Sequence, residues 1–344
     1  MIDWSRSYSC EWRVFAVDRE TWADGARLEG VDALEVQSDA TGDVPLLDAG
    51  GMTVSGDVPP QGYYRIALTA RQDGALERVD VATLLFEATG REVGRGTASV
   101  TLSGRSTLWP AQARLLTGGE YAPAGTDGAA WAAALLRSCC HAPVVVADGA
   151  GFALRDPVWG EAGASVLSHV WDVVRAGGRT LRVMGDGTIA VAPLPTVPAL
   201  DLGGDFAAII DPTARVALDV SEVPNRVTAI DGANVAVATN EDAGSPVSHQ
   251  ARGYWYDVVE TSPTPAEGET LGAYAARRLR ELSVVSDERE WVRGYVPGVR
   301  VGDLVRVAMG GVLDGTYRIR TMGYDLGRGV TVTERASREV LLWA

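Results

Sequence analysis

The stretch YVPGVRVGDLVRV, from Tyr295 to Val307, contains the pattern that decides the fold. Around its Gly302–Asp303 turn, apolar and polar residues alternate, as they do in a strand that buries one face. A second alternating segment, DGTYRIR at 314–320, follows an Asp-Gly turn shortly afterwards. The two segments predict consecutive strands near the C-terminal end of the sequence.

The same period of two fills the first third of the sequence. From Cys10 to about Leu116, the segments EWRVFAV, YYRIALTARQDGALERVDVATLLFEA and TASVTLSG alternate and are separated by turn residues. This succession predicts an antiparallel sheet that folds on itself as a small barrel or sandwich. The residues expected on its inner face are Val14, Leu34, Val36, Ile66, Leu68, Val81, Leu85, Val100 and Leu102.

The middle of the chain changes to a helical period. TDGAAWAAALLRSCC offers Thr126 or Asp127 as an N-cap, and a second helix is capped by Ser165 and ends at Gly177. This helix runs into RTLRVMGDGTIAVAPLP, which predicts two strands around an Asp186–Gly187 turn. The segment from about 120 to 195 is therefore predicted to be two helices packed on a hairpin.

Strands resume after the proline-rich connector PLPTVP at 193–198. RVALDV, NRVTAIDG and NVAVAT alternate, and YWYDVVE is predicted to be an aromatic strand. A helix capped by Thr270 follows, with Tyr274 and Leu279 on its apolar side. Because strands return after this helix, we predict a second barrel with a helical insertion.

Together these patterns predict a mainly β fold with an α+β part. The predicted domains are a first small β-barrel at 1–116, an α+β domain at 117–198, a second β-barrel formed by 199–261 and 292–344, and a helical insertion at 262–291. No exact internal repeat accompanies this arrangement.

Composition is that of a folded globular protein with an acidic surface. Of the 344 residues, 46% are hydrophobic and 22% charged, which argues against a disordered protein. No apolar run approaches the roughly 20 residues of a spanning helix, and none forms a signal peptide, so we expect synthesis in the cytoplasm and no membrane insertion. The formal net charge of −14 argues against wrapping nucleic acid, and it suits a wall that DNA slides past without sticking.

Residue types that carry catalysis or bind metals occur in no productive pattern. His141, His169 and His249 lie in different segments, outside an HExxH frame. Cys139 and Cys140 are adjacent at a helix end, a spacing that rarely chelates one ion, and we expect them to be buried apolar residues. GREVGRGTAS lacks the features of a phosphate loop, and GASVLSH lacks those of a nucleophile elbow. We therefore predict no catalytic residue, no cofactor site and no metal site.

Three segments carry a more specific signal. They are the unit SVLSHVWDVVRAGGRTLRVMGDGTIAVAPLP, the triplet Asn225-Arg226-Val227 after the connector, and the closing stretch Tyr295–Val307 with its return strand DGTYRI. Together they resemble the baseplate or tail-tip hub proteins of tailed phages, a family related to the hub part of contractile injection system spikes. The resemblance covers the order of domains over most of the chain. It does not include the β-needle of the type VI secretion spikes, so we expect a separate chain to supply the tip.

The resemblance implies a structural role. Hub proteins of this kind form homotrimers in which two β-barrels per subunit make a pseudo-sixfold ring that joins the sixfold tail tube to the threefold tip. The expected partners are the tail tube protein, distal tail or baseplate proteins, the tip or spike protein and the tape measure protein. DNA is expected to pass through the centre without specific binding. The expected location is the tail of a virion, contractile or non-contractile, or of a phage-derived injection particle.

Five residues are predicted to contact neighbouring subunits. Arg277, Arg278 and Arg280 lie on the outer side of the inserted helix, although a run of charges is also typical of a solvated helix face. Tyr254 and Tyr256 share one side of the predicted aromatic strand, where an interface or core position is expected. The alternative function is a β-domain glycan-binding protein or hydrolase, with these tyrosines as a sugar platform and carboxylates such as those of SDERE acting on the sugar.

Overall fold

Strands dominate the computed structural model, which describes residues 1–56, 58–59, 61–94, 98–204, 215–266, 268–311, 313–326 and 330–342. In chain order the strands are β1 (Ser9–Val17), β2 (Asp24–Leu28), β3 (Val31–Asp39), β4 (Leu47–Ser55), β5 (Gln61–Gln72), β6 (Ala75–Val93), β7 (Ala98–Ser106), β8 (Tyr121–Ala122), β9 (Val144–Val146), β10 (Val158–Trp159), β11 (Arg179–Val183), β12 (Ile189–Pro193), β13 (Pro198–Gly203), β14 (Arg215–Leu218), β15 (Arg226–Asp231), β16 (Asn234–Thr239), β17 (Asp257–Glu260), β18 (Val284–Gly294), β19 (Leu304–Ala308), β20 (Gly315–Asp325) and β21 (Thr331–Leu341). The helices are α1 (Trp109–Ala113), α2 (Gly128–Arg137), α3 (Val166–Ala176), α4 (His249–Arg252) and α5 (Leu271–Leu282).

The chain forms two compact units. Unit 1 consists of Met1–Ala214 and Trp291–Arg335, and unit 2 consists of Arg215–Glu290 and Ala336–Ala344. The division into four domains stays a prediction.

Unit 1 is built on a long antiparallel sheet. Its strands pair in the order β20-β3-β4-β7-β6-β5-β1-β2, and β19 pairs with β20 and, in parallel, with β13. Of the nine predicted inner-face residues, eight are buried and Leu34 is half-buried. They do not all share one face, because Leu85 pairs with Tyr63 and therefore lies on the opposite side of the sheet from Ile66, which pairs with Ala82. No sheet closes on itself in the part of the chain that is described, and the two barrels stay a prediction.

The Gly302–Asp303 turn leads into β19 as the sequence predicts. Gly302 has a φ of +86°, a conformation that favours glycine. The buried Asp303 carboxylate accepts hydrogen bonds from the Arg300 backbone N–H at 2.9 Å and from Arg182 Nη2 at 3.0 Å. Because Arg182 lies in β11, Asp303 ties the closing hairpin to the middle of the chain.

The middle of the chain packs two helices on a three-stranded sheet of order β11-β12-β9. The predicted caps are confirmed: the Asp127 carboxylate accepts a hydrogen bond from the Ala129 N–H, and the Ser165 hydroxyl accepts one from the Ser168 N–H, both at 3.0 Å. The core between these helices and the sheet includes Ala132, Leu136, Val170, Val174, Leu181 and Val191.

The turn between β11 and β12 is held by the first strands through its backbone. The Asp186 carbonyl accepts hydrogen bonds from Trp22 Nε1 at 2.8 Å and from Arg65 Nη2 at 3.1 Å. The Thr83 hydroxyl donates to the Gly185 carbonyl at 2.9 Å. Since backbone groups buried without partners cost free energy, these bonds fix the hairpin to the long sheet of unit 1.

Unit 2 contains a separate three-stranded sheet of order β16-β15-β17. β15 pairs antiparallel with β16 and parallel with β17. The buried side of α5, formed by Tyr274, Ala275 and Leu279, packs against Val227 and Ala229 of β15. In the same unit, β14 pairs antiparallel with the first half of β18.

Candidate interaction surface

All five predicted interface residues belong to unit 2, where α5 covers one face of the small sheet. The helix begins after Thr270 because the hydroxyl of this residue accepts a hydrogen bond from the Ala273 N–H at 3.2 Å. Its apolar side faces the sheet, which leaves Arg277 and Arg280 exposed and Arg278 half-buried. The helical insertion therefore leaves Arg277 and Arg280 exposed, whereas Arg278 reaches Glu260 at the end of β17.

Two of these arginines are held by three glutamates. Arg277 contacts Glu269 through two bonds of 2.9 Å and Glu281 through one of 2.8 Å. Arg278 contacts Glu260 at 2.9 Å and also pairs with Glu281. Hydrogen bonds from Arg277 lower the pKa of Glu269 to about 2. Since the carboxylates outnumber the guanidinium groups, this network does not provide a site for an anion.

Arg280 differs from the other two arginines of the helix. It is exposed in the last turn of α5, and within the described ranges it forms no ion pair. Its charge therefore remains available for a contact with another molecule.

Tyr254 and Tyr256 lie in a loop, so the prediction of an aromatic strand is wrong for these residues. β17 begins only at Asp257, because the buried Asn225 amide binds the preceding backbone. Asn225 donates from Nδ2 to the Tyr254 carbonyl at 3.0 Å and accepts at Oδ1 from the Tyr256 N–H at 2.8 Å. The tyrosine side chains are 53% and 37% exposed, which leaves part of each ring open to a partner.

The triplet Asn225-Arg226-Val227 shapes this region. Its asparagine holds the loop at Tyr254–Tyr256. Its arginine, Arg226, pairs with Asp257 at 2.6 Å and lies over the Trp255 ring, 4.9 Å from the ring centroid. Trp255 in turn stacks on His249, with ring centroids 4.0 Å apart. Each residue of the triplet therefore has a structural role, since the valine is buried beneath α5.

The face of the small sheet opposite α5 carries a group of apolar residues beside the Arg226–Asp257 pair, and no element of the described ranges covers this group. Thr228 lies between Val237 and Val259, and Ile230 lies beside Val235. Val235, Val237 and Val259 are 62%, 55% and 56% exposed. These five residues are called the valine face below.

Sequence reasoning missed the valine face. NVAVAT alternates valine with alanine, so both sides of β16 are apolar and the period does not show which side is buried. In the structure Ala238 packs against the core beneath α5, while the larger Val237 faces outward. The presence of valine at two of the three outward positions of β16 was the available signal.

Groups that support catalysis are sparse. The described ranges contain no cluster of three or more His, Cys, Asp or Glu side chains placed to hold a metal ion. A groove of about 630 Å³ beside α3 in unit 1 includes Asp156, His169 and Asp172 in its lining, but no Ser, Thr, Cys or Lys. Burial lowers the pKa of His169, which disfavours the charged imidazolium. Across the residues described, no helix combines the length and the apolar character needed to cross a membrane.

Solved structures identify the fold. No protein-family model matches the chain, and no curated protein does. A tail protein from Neisseria meningitidis MC58 superposes with a TM-score of 0.57 at 16% identity, over 96% of this chain and 97% of that one. The chain has the fold of prophage tail proteins. The 43 kDa tail protein of prophage MuSo2 from Shewanella oneidensis agrees, with a TM-score of 0.58 at 16% identity, over 95% of this chain and 98% of that one.

The tail-protein fold also extends to a larger assembly. A chain of the Francisella PdpA-VgrG complex superposes with a TM-score of 0.50 at 7% identity, and the match covers 96% of this chain but 53% of that one. The resemblance inferred from the three sequence segments is thus confirmed at the level of the fold.

Proposed function

We propose that this protein is a structural component of a phage tail or phage-derived injection particle, and that it acts as the hub between tail tube and tip. The observation that carries the proposal is the superposition on two tail proteins over at least 95% of each chain. A match over the whole length of both chains supports a shared architectural role better than a match confined to one module would.

In the proposed assembly three copies form a ring around a central DNA conduit. Each copy contributes one barrel built around β1–β7 and one that includes β13, β19 and β20, which gives six related units from three chains. The pairing of β20 with β3 supports this arrangement, because it joins the two predicted barrel regions edge to edge within unit 1. The net charge of −14 favours passage of DNA without binding.

The proposed partners are the tail tube, the distal tail or baseplate proteins, the tip or spike and the tape measure protein. Among the predicted contact residues, Arg280, Tyr254 and Tyr256 keep exposed groups, whereas Arg277 and Arg278 are engaged within the chain. We assign the contact with a neighbouring subunit first to these three.

The test is the mass of the purified protein over a concentration series, followed by negative-stain imaging with the cognate tail tube. A threefold ring that caps the tube is the expected result. A protein that stays monomeric and never docks to the tube would contradict the hub function.

One observation favours glycan binding as a second candidate function. Tyr121 and Trp159 pair across β8 and β10 with ring centroids 4.2 Å apart, and they are 45% and 66% exposed. Exposed aromatic rings of this kind can stack on the apolar face of a sugar. Binding to an oligosaccharide array that is lost in Trp159→Ala would support this function, and an array without bound protein would exclude it for the sugars tested.

A further inference from the structure

We propose that the valine face docks on a second copy of this chain, and this inference rests on the proposed hub assembly. The face takes up most of one side of the three-stranded sheet, which it shares with Thr239 and the Arg226–Asp257 pair. Its three valines are more than half exposed, and α5 covers the other side of the sheet. A sheet buries at least one face in a stable domain, and a second apolar face left in water is typical of an interaction surface.

The charge distribution fits another copy as the occupant. Unit 2 has eight arginines against fourteen acidic residues, a net charge of −6, and the whole chain has −14. The valine face has no charged member, and the adjacent Arg226 and Asp257 neutralise each other. Two copies of an acidic chain repel least where both surfaces are neutral, whereas a basic partner or a cationic ligand is attracted to the acidic surfaces instead.

The edge of the sheet gives a second, independent argument. β16 is an edge strand in the described part of the sheet, and its residues Asn234–Thr239 include no charge and no proline. Soluble proteins usually protect exposed edges with such residues, and an unprotected apolar edge is a pairing surface for another chain. The edge and the valine face meet at Val235 and Val237, so one partner can cover both.

Residue types typical of protein interfaces border the face. Arg226 lies over Trp255 at the end of the sheet where it pairs with Asp257. Tryptophan and arginine carry much of the binding free energy in protein interfaces, while their surroundings exclude water. In a three-subunit ring the contact is heterologous, so the valine face of one copy meets a different surface of the next.

The test compares variants by sedimentation velocity over a concentration series in about 0.15 M salt. Val235→Thr/Val237→Thr keeps β-branched side chains of the same shape, and we expect it to weaken self-association about tenfold or more by reducing apolar burial. Val237→Glu should abolish self-association by placing a charge in the contact. Val197→Thr, at a valine that is 73% exposed outside the face, is the matched control and should behave as wild type.

The outcomes separate the face from the proposed function. If wild type, Val237→Glu and the double variant all self-associate equally, the valine face is not the contact. The proposed hub function is then unaffected. Wild-type protein that stays monomeric at every concentration also overturns the face, and imaging with the tail tube then decides the hub by itself. Weakening in the face variants alone, with circular dichroism unchanged, supports the proposal.

Discussion

At the scale of single residues, unit 1 depends on a buried ion pair. The side chains of Arg293 and Glu334 are both 0% exposed, and Trp291 Nε1 donates to the same carboxylate at 2.8 Å. Such a pair adds little net stability over a well-packed apolar pair, but removing one partner leaves a buried charge unpaired. This asymmetry makes the pair a sensitive test of the packing.

We expect Glu334→Gln to destabilise the protein by about 3 kcal/mol, because the amide keeps the shape of the carboxylate while Arg293 loses its counter-charge. Chemical denaturation measures the change. Arg13→Gln, which removes the exposed Arg13–Glu11 pair, is the control and should leave the unfolding curve unchanged. Equal effects of the two substitutions would contradict the buried network.

Substitution by alanine should have opposite effects on stability at two glycines. A methyl group on Gly185 would overlap the Asp80 carbonyl and the Arg300 guanidinium, whereas one on Gly272 in α5 meets no atom within 4 Å. We expect Gly185→Ala to cost about 2–3 kcal/mol and Gly272→Ala to stabilise by up to about 1 kcal/mol. Thermal unfolding of both variants checks the pair, and destabilisation by Gly272→Ala would show that α5 has a neighbour at this position.

At the scale of elements, the sequence predicted what depends on local geometry. The caps Asp127, Ser165 and Thr270, and the strands around the Asp186–Gly187 turn, follow from residues whose preferences act within a few positions. The period of two identified buried residues of the first strands, among them Ile66 and Leu102, but not which face each one lies on.

Features that depend on distant partners were not predictable. The loop at Tyr254–Tyr256 exists because Asn225, 29 residues before Tyr254, takes up its backbone hydrogen bonds. The buried ion pair joins residues 41 positions apart. An arginine that will be buried looks the same in the sequence as one that will be solvated, and valine and alanine do not reveal which side of β16 meets a helix.

The ion-pair network of α5 predicts a pH dependence for this element. Hydrogen bonds from Arg277 lower the pKa of Glu269 from its ordinary value of 4.5 to about 2, so the carboxylate is charged more readily in the folded state. The contribution of this ion pair to the free energy of unfolding is therefore complete above pH 4.5, and it is lost as the pH falls towards 2. Amide exchange measures this loss: the intrinsic exchange rate falls over most of this interval, so the protection factors of α5, the ratio of intrinsic to observed rate, should decrease.

Glu269→Gln should reduce that pH dependence, because the amide does not titrate, whereas Glu260 and Glu281 of the same network still do. Glu241→Gln, an exposed position outside the network, is the control and should retain it. The same acid-induced loss of protection in Glu269→Gln and in wild type would show that other carboxylates control the stability of α5.

At the scale of the whole molecule, the acidic charge acts on two kinds of partner. Phosphates and other copies of the chain are both repelled, so in the proposed hub the charge would favour passage of DNA while opposing assembly. Assembly therefore needs contacts that do not depend on attraction between unlike charges, and the valine face provides such a contact.

Salt provides a test of this balance. Raising the salt concentration from 0.01 to 0.15 M shortens the screening length from about 30 Å to about 8 Å, which weakens repulsion between copies but leaves apolar contacts in place. We therefore expect self-association to strengthen over this range in sedimentation experiments, while binding to double-stranded DNA stays undetectable. Val237→Glu should not regain wild-type association at the higher salt concentration, because desolvation of the new carboxylate is not screened. Association that weakens as salt is added would instead show that ion pairs between unlike charges hold the copies together, and it would move the contact away from the valine face to charged groups such as Arg280.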